Sequence, residues 1–335
     1  MLEYLIIQLD DTSTSYCHYE IGAKEHKLMP LETLKAGIRF GMLENLMIQF
    51  VYPDYKLPDD YAAAIESIDH NKIVSSLCED EALKAEADVI VFHDWTGLSV
   101  AQLDEKKSYV LRTPKADFFD RYLFLKDVIA KVSRLNIVIT DVETFTEEDF
   151  EKHKQILHTL SEPIEKEYVA GKTPQLNILT DRMMLEKMNN CNAGASNITL
   201  APNGKFYICP AFYYEKEDDC VGDLEQGLDI KNPQLYKLDY APICRHCDAY
   251  QCRRCVWLNR KTTLEVNTPS HEQCVVAHLE RNASREMLEN IRKHGSFMPQ
   301  IEIKEIDYLD PFDVREHWDE ELLQQELIKY HQENY

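Results

Sequence analysis

No apolar run in these 335 residues approaches the roughly 20 that a membrane-spanning helix needs, so an integral membrane protein is not expected. The opening MLEYLIIQLDD lacks the basic start and small-residue cleavage site of a secretory signal, and a cytoplasmic location is the expectation. Basic charge is scarce: 37 lysines and arginines stand against 59 aspartates and glutamates, for a net charge of −22. Such a surface repels phosphate backbones and anionic lipid, which argues against nucleic acid and membrane partners. It serves solubility, or it draws a basic partner or peptide. Internal repeats and low-complexity tracts are missing too. With 44% hydrophobic residues, the chain has the composition of a globular protein and the length for a substantial core in two domains.

Cysteine is nearly absent from most of the sequence. Of ten, only Cys17 and Cys78 lie outside the stretch from Cys191 to Cys274. In a chain with no secretory signal, that crowding favours metal or iron–sulfur ligation over disulfides.

Through residue 180, apolar runs alternate with amphipathic ones. YLIIQL, LMIQFVY, DVIVFH, SYVLR, LNIVIT and QLNILT are nearly continuous, as strands buried on both faces should be. Helices are predicted over residues 30–45, 116–133 and 146–169, the last with Thr146 as N-cap. The alternation predicts a parallel α/β sheet or partial barrel. Short strands, turns and cysteines follow Asp181, then a helix over 275–293. The last segment, from Asp313, is acidic and amphipathic, with Trp318, Leu322, Leu323, Leu327 and Ile328 on one face.

Within the cysteine stretch, CNAGASNITLAPNGKFYIC places twelve residues between Cys191 and Gly204 and four between Gly204 and Cys209. CRHCDAYQCRRC then supplies Cys244, Cys247, Cys252 and Cys255, and Cys274 closes the set. Thiolates are ligands for iron–sulfur clusters and for zinc, and a C-x2-C turn lets two sulfurs reach one centre. Zinc ribbons separate their knuckles by a dozen or more residues; the four between these pairs are few for one ion, although zinc stays open as an alternative.

The pattern resembles the SPASM domain of peptide-modifying radical S-adenosylmethionine (SAM) enzymes, over about 85 residues. The second half is shorter by one residue in two gaps, with four and two residues where five and three are usual. The resemblance implies one cluster, of 4Fe–4S type, on Cys244, Cys247, Cys252 and Cys274. It implies a second on Cys191, Cys209 and Cys255, with Cys220 as a candidate fourth ligand. A radical SAM barrel precedes such a domain and carries C-x3-C-x2-C after its first strand. Here Ser13, Cys17 and Glu20 stand at those positions, and VYPDYKLP holds no glycine pair where a Gly-Gly-Glu motif would meet SAM. The implied architecture is a degenerate radical-SAM-like partial barrel over 1–182, a SPASM-like region over 183–280 and a helical acidic extension over 281–335. No SAM is expected.

LIIQLDDTSTSYCHYE, LMPLETLK, ENLMIQFVYPDYKLP and SIDH resemble the CXXX repeat peptide maturases, pseudo-radical-SAM proteins found beside ribosomally synthesised, post-translationally modified peptides. The resemblance implies a cysteine-repeat precursor peptide and a true radical SAM maturase as partners. It leaves open whether the protein is a non-SAM binding or electron-transfer component, a peptide-modifying enzyme with an open iron site, or a zinc-bound scaffold.

Other polar groups fall at predicted strand ends. Asp10 and Asp11, with Thr12 and Ser13, could meet a cation or ligand, although turn formers are the commoner explanation. His93, Asp94 and Arg112 could share the same opening. Cys17 beside His18 could be a nucleophile with its base, but neighbours in an extended segment rarely aim at each other. Asp181 and Arg182 should close the last barrel strand, as an ion pair or a site. His246, Arg253 and Arg254 sit in the cysteine knuckle, the arginines as donors to cluster sulfurs or to a peptide carboxylate.

Overall fold

The computed structural model describes residues 2–22, 25–188, 191–313 and 328. Seven parallel strands follow chain order: β1 (Tyr4–Gln8), β2 (Met47–Val51), β3 (Asn71–Ser75), β4 (Val89–Phe92), β5 (Ser108–Thr113), β6 (Arg134–Ile139) and β7 (Gln175–Leu176). Each pairs with the next, and β8 (Asn197–Leu200) pairs parallel with the free side of β1. An antiparallel neighbour, β9 (Phe206–Tyr207), completes the sheet order 7-6-5-4-3-2-1-8-9. The result is an α/β partial barrel with an open edge at either end.

Helices fill the crossovers. They are α1 (Leu31–Leu43), α2 (Asp59–Ile65), α3 (Glu81–Glu86), α4 (Trp95–Val100), α5 (Lys115–Arg121), α6 (Leu125–Ile129) and α7 (Glu147–Val169). After β7 come α8 (Asn177–Met184), α9 (Pro210–Glu215), α10 (Val256–Thr263) and α11 (His271–Arg292). Thr146 caps α7 in a capping box with Asp149, as the sequence predicts. Helix α1 lies close on the sheet because it presents glycine there: a Cβ on Gly41 would stand 2.7 Å from the Ile48 side chain.

The strands are buried on both faces. Leu5, Ile7, Ile48 and Phe50 join the large core under the helices, whereas Ile6, Val51, Ile73, Val91, Val110 and Val138 form a separate apolar layer on the other face. That layer is the inner side of the partial barrel, and because the strands are parallel the loops that follow them gather at one end of it.

Three elements differ from the sequence expectation. β3 was not among the predicted strands, because Asn71 and Lys72 interrupt its apolar run. Lys72 is nevertheless buried, its ammonium held by Glu66 at 2.7 Å and Glu86 at 2.8 Å. QLNILT is a strand for only two residues. Asn177 then uses its side-chain amide as a strand would use its peptide group, accepting from Ile137 N at 2.7 Å and donating to Ile137 O at 3.0 Å. The backbone is released into α8, so Asp181 and Arg182 lie on a helix and not at a strand end. The run 116–133 breaks into α5, a 3-10 turn at Tyr122–Phe124, and α6.

The helix expected over 275–293 is α11, starting four residues early, which sets Cys274 in its first turn. The PNG turn joins β8 to β9, with Gly204 at φ +78°, a left-handed conformation that suits glycine. The C-terminal amphipathic face lies outside the described residues, Ile328 excepted. Among the described residues, no helix is long and apolar enough to cross a membrane.

Candidate functional site

The loop after β1 carries Ser13, Cys17 and Glu20, and two of these side chains are built into the fold. Ser13 Oγ accepts from Asp10 N at 2.9 Å and donates to Val51 O at 2.8 Å, pinning the loop to the end of β2. Glu20 accepts from Arg112 Nη2 at 2.7 Å. Arg112, buried at the end of β5, also donates to Cys17 O at 2.8 Å and Tyr19 O at 2.7 Å. Its third nitrogen lies 3.2 Å from His93 Nδ1. A guanidinium can only donate, so Nδ1 is unprotonated and Nε2–H donates to Thr14 Oγ1 at 2.7 Å. Burial, then the Arg112 charge, holds the His93 pKa below its ordinary value, in keeping with a neutral ring.

His93 and Arg112 thus come together around the loop. Asp94 is not with them: it caps α4 and accepts from Gly97 N at 2.7 Å. The buried Asp10 carboxylate accepts from Thr12 N at 2.8 Å, Thr12 Oγ1 at 2.6 Å and Tyr55 OH at 2.9 Å. Asp11 accepts from Tyr213 OH at 2.5 Å and, through its carbonyl, from Tyr214 OH at 3.0 Å, which fastens the loop to α9. The geometry gives both aspartates anchoring work. His18 Nδ1 donates to Ile139 O at 3.1 Å, and burial with the Arg253 charge lowers its pKa to about 3. Burial pushes the Cys17 thiol up to about 12, the opposite of an activated nucleophile.

The cysteines fall into two groups. Cys244, Cys247, Cys252 and Cys274 line one small apolar pocket with Met188, Ala249 and Ala277. Two backbone amides point at its sulfurs, Ala249 N to Cys247 Sγ and Arg254 N to Cys252 Sγ, both at 3.4 Å. Donors of this kind favour a thiolate. To make the second, Arg254 adopts φ +43°, which is costly for a side-chain-bearing residue. Its guanidinium turns away to Tyr236 O at 2.5 Å. Burial raises all four thiols, Cys244 to about 12. Four thiols, those of Cys244 and Cys274 buried and those of Cys247 and Cys252 half-buried, beside thiolate-solvating amides suit a centre that brings positive charge, and the residues fit an iron–sulfur cluster.

Asp248, inside the knuckle, fixes its place. It accepts from Arg281 at 2.8 and 2.7 Å and from Arg182 at 3.1 Å, and it ties α8 and α11 to the cysteines. Burial would raise its pKa, but the two arginines lower it overall. Arg182 also stacks 4.3 Å from the Tyr250 ring centre. Asp181 pairs with Arg134 at 2.8 Å, so the neighbours Asp181 and Arg182 take different partners.

Cys191, Cys209 and Cys255 line a second cavity, about 500 Å³, against the concave face of the sheet. Ile6, Ile73 and Val110 floor it, and Arg134, Asn136, Asp181 and Arg253 are its polar groups. Cys17 lines it too. Cys220 does not; it lies beside Tyr207. Among the described residues, no three His, Cys, Asp or Glu side chains converge closely enough to hold a single metal ion.

No family model and no curated protein matches the sequence. Among solved structures, the fold is similar to native anSMEcpe with bound AdoMet and Cp18Cys peptide: TM-score 0.57 at 10% identity, covering 88% of this chain and all of that one. A tagged anSMEcpe with bound AdoMet gives TM-score 0.57 at 12% identity, covering 91% and 97%. Streptococcus suis SuiB bound to precursor peptide SuiA aligns at TM-score 0.42 and 12% identity over 82% and 76%, too distant to support an argument. At these identities the likeness is one of fold.

Proposed function

We propose that this protein serves peptide maturation without using SAM: it carries iron–sulfur clusters on its cysteines and binds a cysteine-repeat precursor peptide or the radical SAM maturase that modifies it. The observation that carries the reading is the loop after β1. A SAM-binding cluster needs three free thiolates there, yet Ser13 is bonded to Val51 O and Glu20 to Arg112. The fold likeness to a structure holding AdoMet and a peptide supports descent from that chemistry. Strand-end loops consolidated by Arg112 and His93 support its loss.

In this reading Cys244, Cys247, Cys252 and Cys274 hold one cluster and Cys191, Cys209 and Cys255 contribute to the other. A bound cluster supplies electron transfer or rigidity. The chain's own residues do the binding. A cavity of about 500 Å³ is within the range of ligand sites, roughly 300–1,000 Å³, and takes side chains of an extended peptide. Arg253 and Asn136 offer donors to peptide carbonyls there. The net charge of −22 attracts a basic leader segment, an attraction that salt screens beyond about 8 Å at physiological ionic strength.

Calorimetry and pull-down of the cluster-loaded protein, with a cysteine-repeat precursor and with a radical SAM maturase, test the proposal. Binding that weakens at high salt is expected, with no 5′-deoxyadenosine released from SAM and dithionite. Lack of binding to both partners, or SAM turnover above a protein-free control, would sink it.

A further inference from the structure

Cys17 comes from the loop after β1, Cys191 from the segment before β8, Cys209 from the N-cap of α9 and Cys255 from the N-cap of α10. These four separate points of the chain open into the same cavity. All four cysteines are among the residues that line this single chamber. Ionised together without a cation they repel; protonated, they leave four thiols around a chamber that also holds polar groups. Backbone amides are aimed at two of the sulfurs, from Ala211 toward Cys209 and from Trp257 and Leu258 toward Cys255.

We propose that Cys17, Cys191, Cys209 and Cys255 ligate one iron–sulfur cluster, with Cys17 supplying the fourth thiolate across the cavity from the cysteine-rich region. The inference rests on the reading that this region binds clusters, and it replaces Cys220 as the fourth ligand. The four cysteines stand around a cavity of about 500 Å³. They share a chamber without converging on a point, as zinc with bonds of about 2.3 Å requires, whereas a cluster sets its iron and sulfide atoms between its thiolates. On ligation each thiol yields its proton to solvent. Four protein ligands leave no iron open to substrate, so this centre is an electron carrier or a structural pin and not a Lewis acid. The lone cysteine of the degenerate motif thereby acquires a role unconnected with SAM.

The full chain, reconstituted anaerobically with ferrous iron and sulfide, is compared with its Cys17→Ser, Cys17→Ala, Cys191→Ala and Cys220→Ala variants by iron and sulfide content and by electron paramagnetic resonance after dithionite. The Cys17 and Cys191 alanine variants should lose the same signal and about half of the iron, while Cys220→Ala keeps both signals. Cys17→Ser should lose or shift that signal, with circular dichroism unchanged in the metal-free state. Full iron and unaltered signals in both Cys17 variants overturn the assignment, as does loss of a cluster in Cys220→Ala. Full iron in Cys191→Ala as well shows instead that the cluster-binding reading itself has failed. Should the Cys17 variants not fold, alkylation of the wild-type protein in mild denaturant decides: Cys17 should react only after chelation, and equal rates before and after overturn the proposal.

Discussion

Arg112 Nη2 sits 2.7 Å from Glu20 Oε1 and 2.7 Å from Tyr19 O, so one guanidinium nitrogen bonds the loop through both a side chain and a carbonyl. Glu20 is thereby a closing contact of the loop.

The two partners should not be equal. Arg112→Ala strands the Cys17 carbonyl but leaves Tyr19 O its bond from Ser15 Oγ, and should cost about 1–3 kcal/mol, the scale of one unsatisfied buried group. Glu20→Gln removes an ion pair whose acidic side is 75% exposed and should cost less than about 1 kcal/mol. Urea titration of both variants measures the difference; equal losses would show that the salt bridge, and not the carbonyl contacts, holds the loop.

Restoring thiols should not restore chemistry. Ser13→Cys with Glu20→Cys recreates the C-x3-C-x2-C spacing, but Ser13 then gives up its bond to Val51 O and Arg112 its carboxylate. The double variant should be less stable than wild type by about 1–3 kcal/mol and release no 5′-deoxyadenosine from SAM. Detection of that product would mean that the rest of the SAM site is intact.

Metal loading at the downstream pocket should follow pH. Burial raises the thiols of Cys244, Cys247, Cys252 and Cys274, and a ligand must lose its proton. Iron uptake should therefore rise with pH, releasing protons, and replacing any of the four by Ala should lower metal content and melting temperature. If iron is present at about 100 times its dissociation constant, chelation should remove ~2.7 kcal/mol of stability. A quadruple variant with wild-type metal content and melting temperature would falsify the ligand set.

A separate pH response is expected where α11 begins. His271 Nδ1 lies 2.5 Å from the buried Asp310 carboxylate. Burial lowers the imidazole pKa, but Asp310 outweighs it and the net shift is upward. A pKa higher in the folded state contributes stability that is full below the unfolded value of about 6.5 and lost as pH rises through the folded one. Hydrogen exchange at the start of α11 should thus quicken from about pH 6.5 upward. His271→Gln should flatten that dependence; an unchanged slope would place the titrating group elsewhere.

Much of the architecture was legible because a strand buried on both faces writes a continuous apolar run, as in YLIIQL and LNIVIT. Lys72 defeats that rule, because its buried ammonium is neutralised by Glu66 and Glu86 from distant positions. Asn177 defeats it the other way, ending a strand by side-chain mimicry of a peptide group. The downstream cysteines were readable as a set because a knuckle is local. Cys17 was not readable with Cys191, Cys209 and Cys255, since only the path of β1 alongside β8 brings residue 17 to that cavity. For Asp10 and Asp11 the sequence leaves a ligand or a turn open, because the tyrosines that occupy them, Tyr55, Tyr213 and Tyr214, are far away in sequence.

The pairing of β8 with β1 carries a constraint on how the chain can be cut. β1 is hydrogen-bonded on both sides, by β2 and by a strand that belongs to the cysteine-rich region. Truncation after α8 would therefore not free a self-sufficient barrel. It would bare the full length of Tyr4–Ile7 as an unpaired edge of apolar residues, a template for strand addition between molecules. Such a fragment should self-associate rather than remain monomeric, and the cysteine-rich region, deprived of its parallel neighbour, would lose the strand that its first hairpin is laid against.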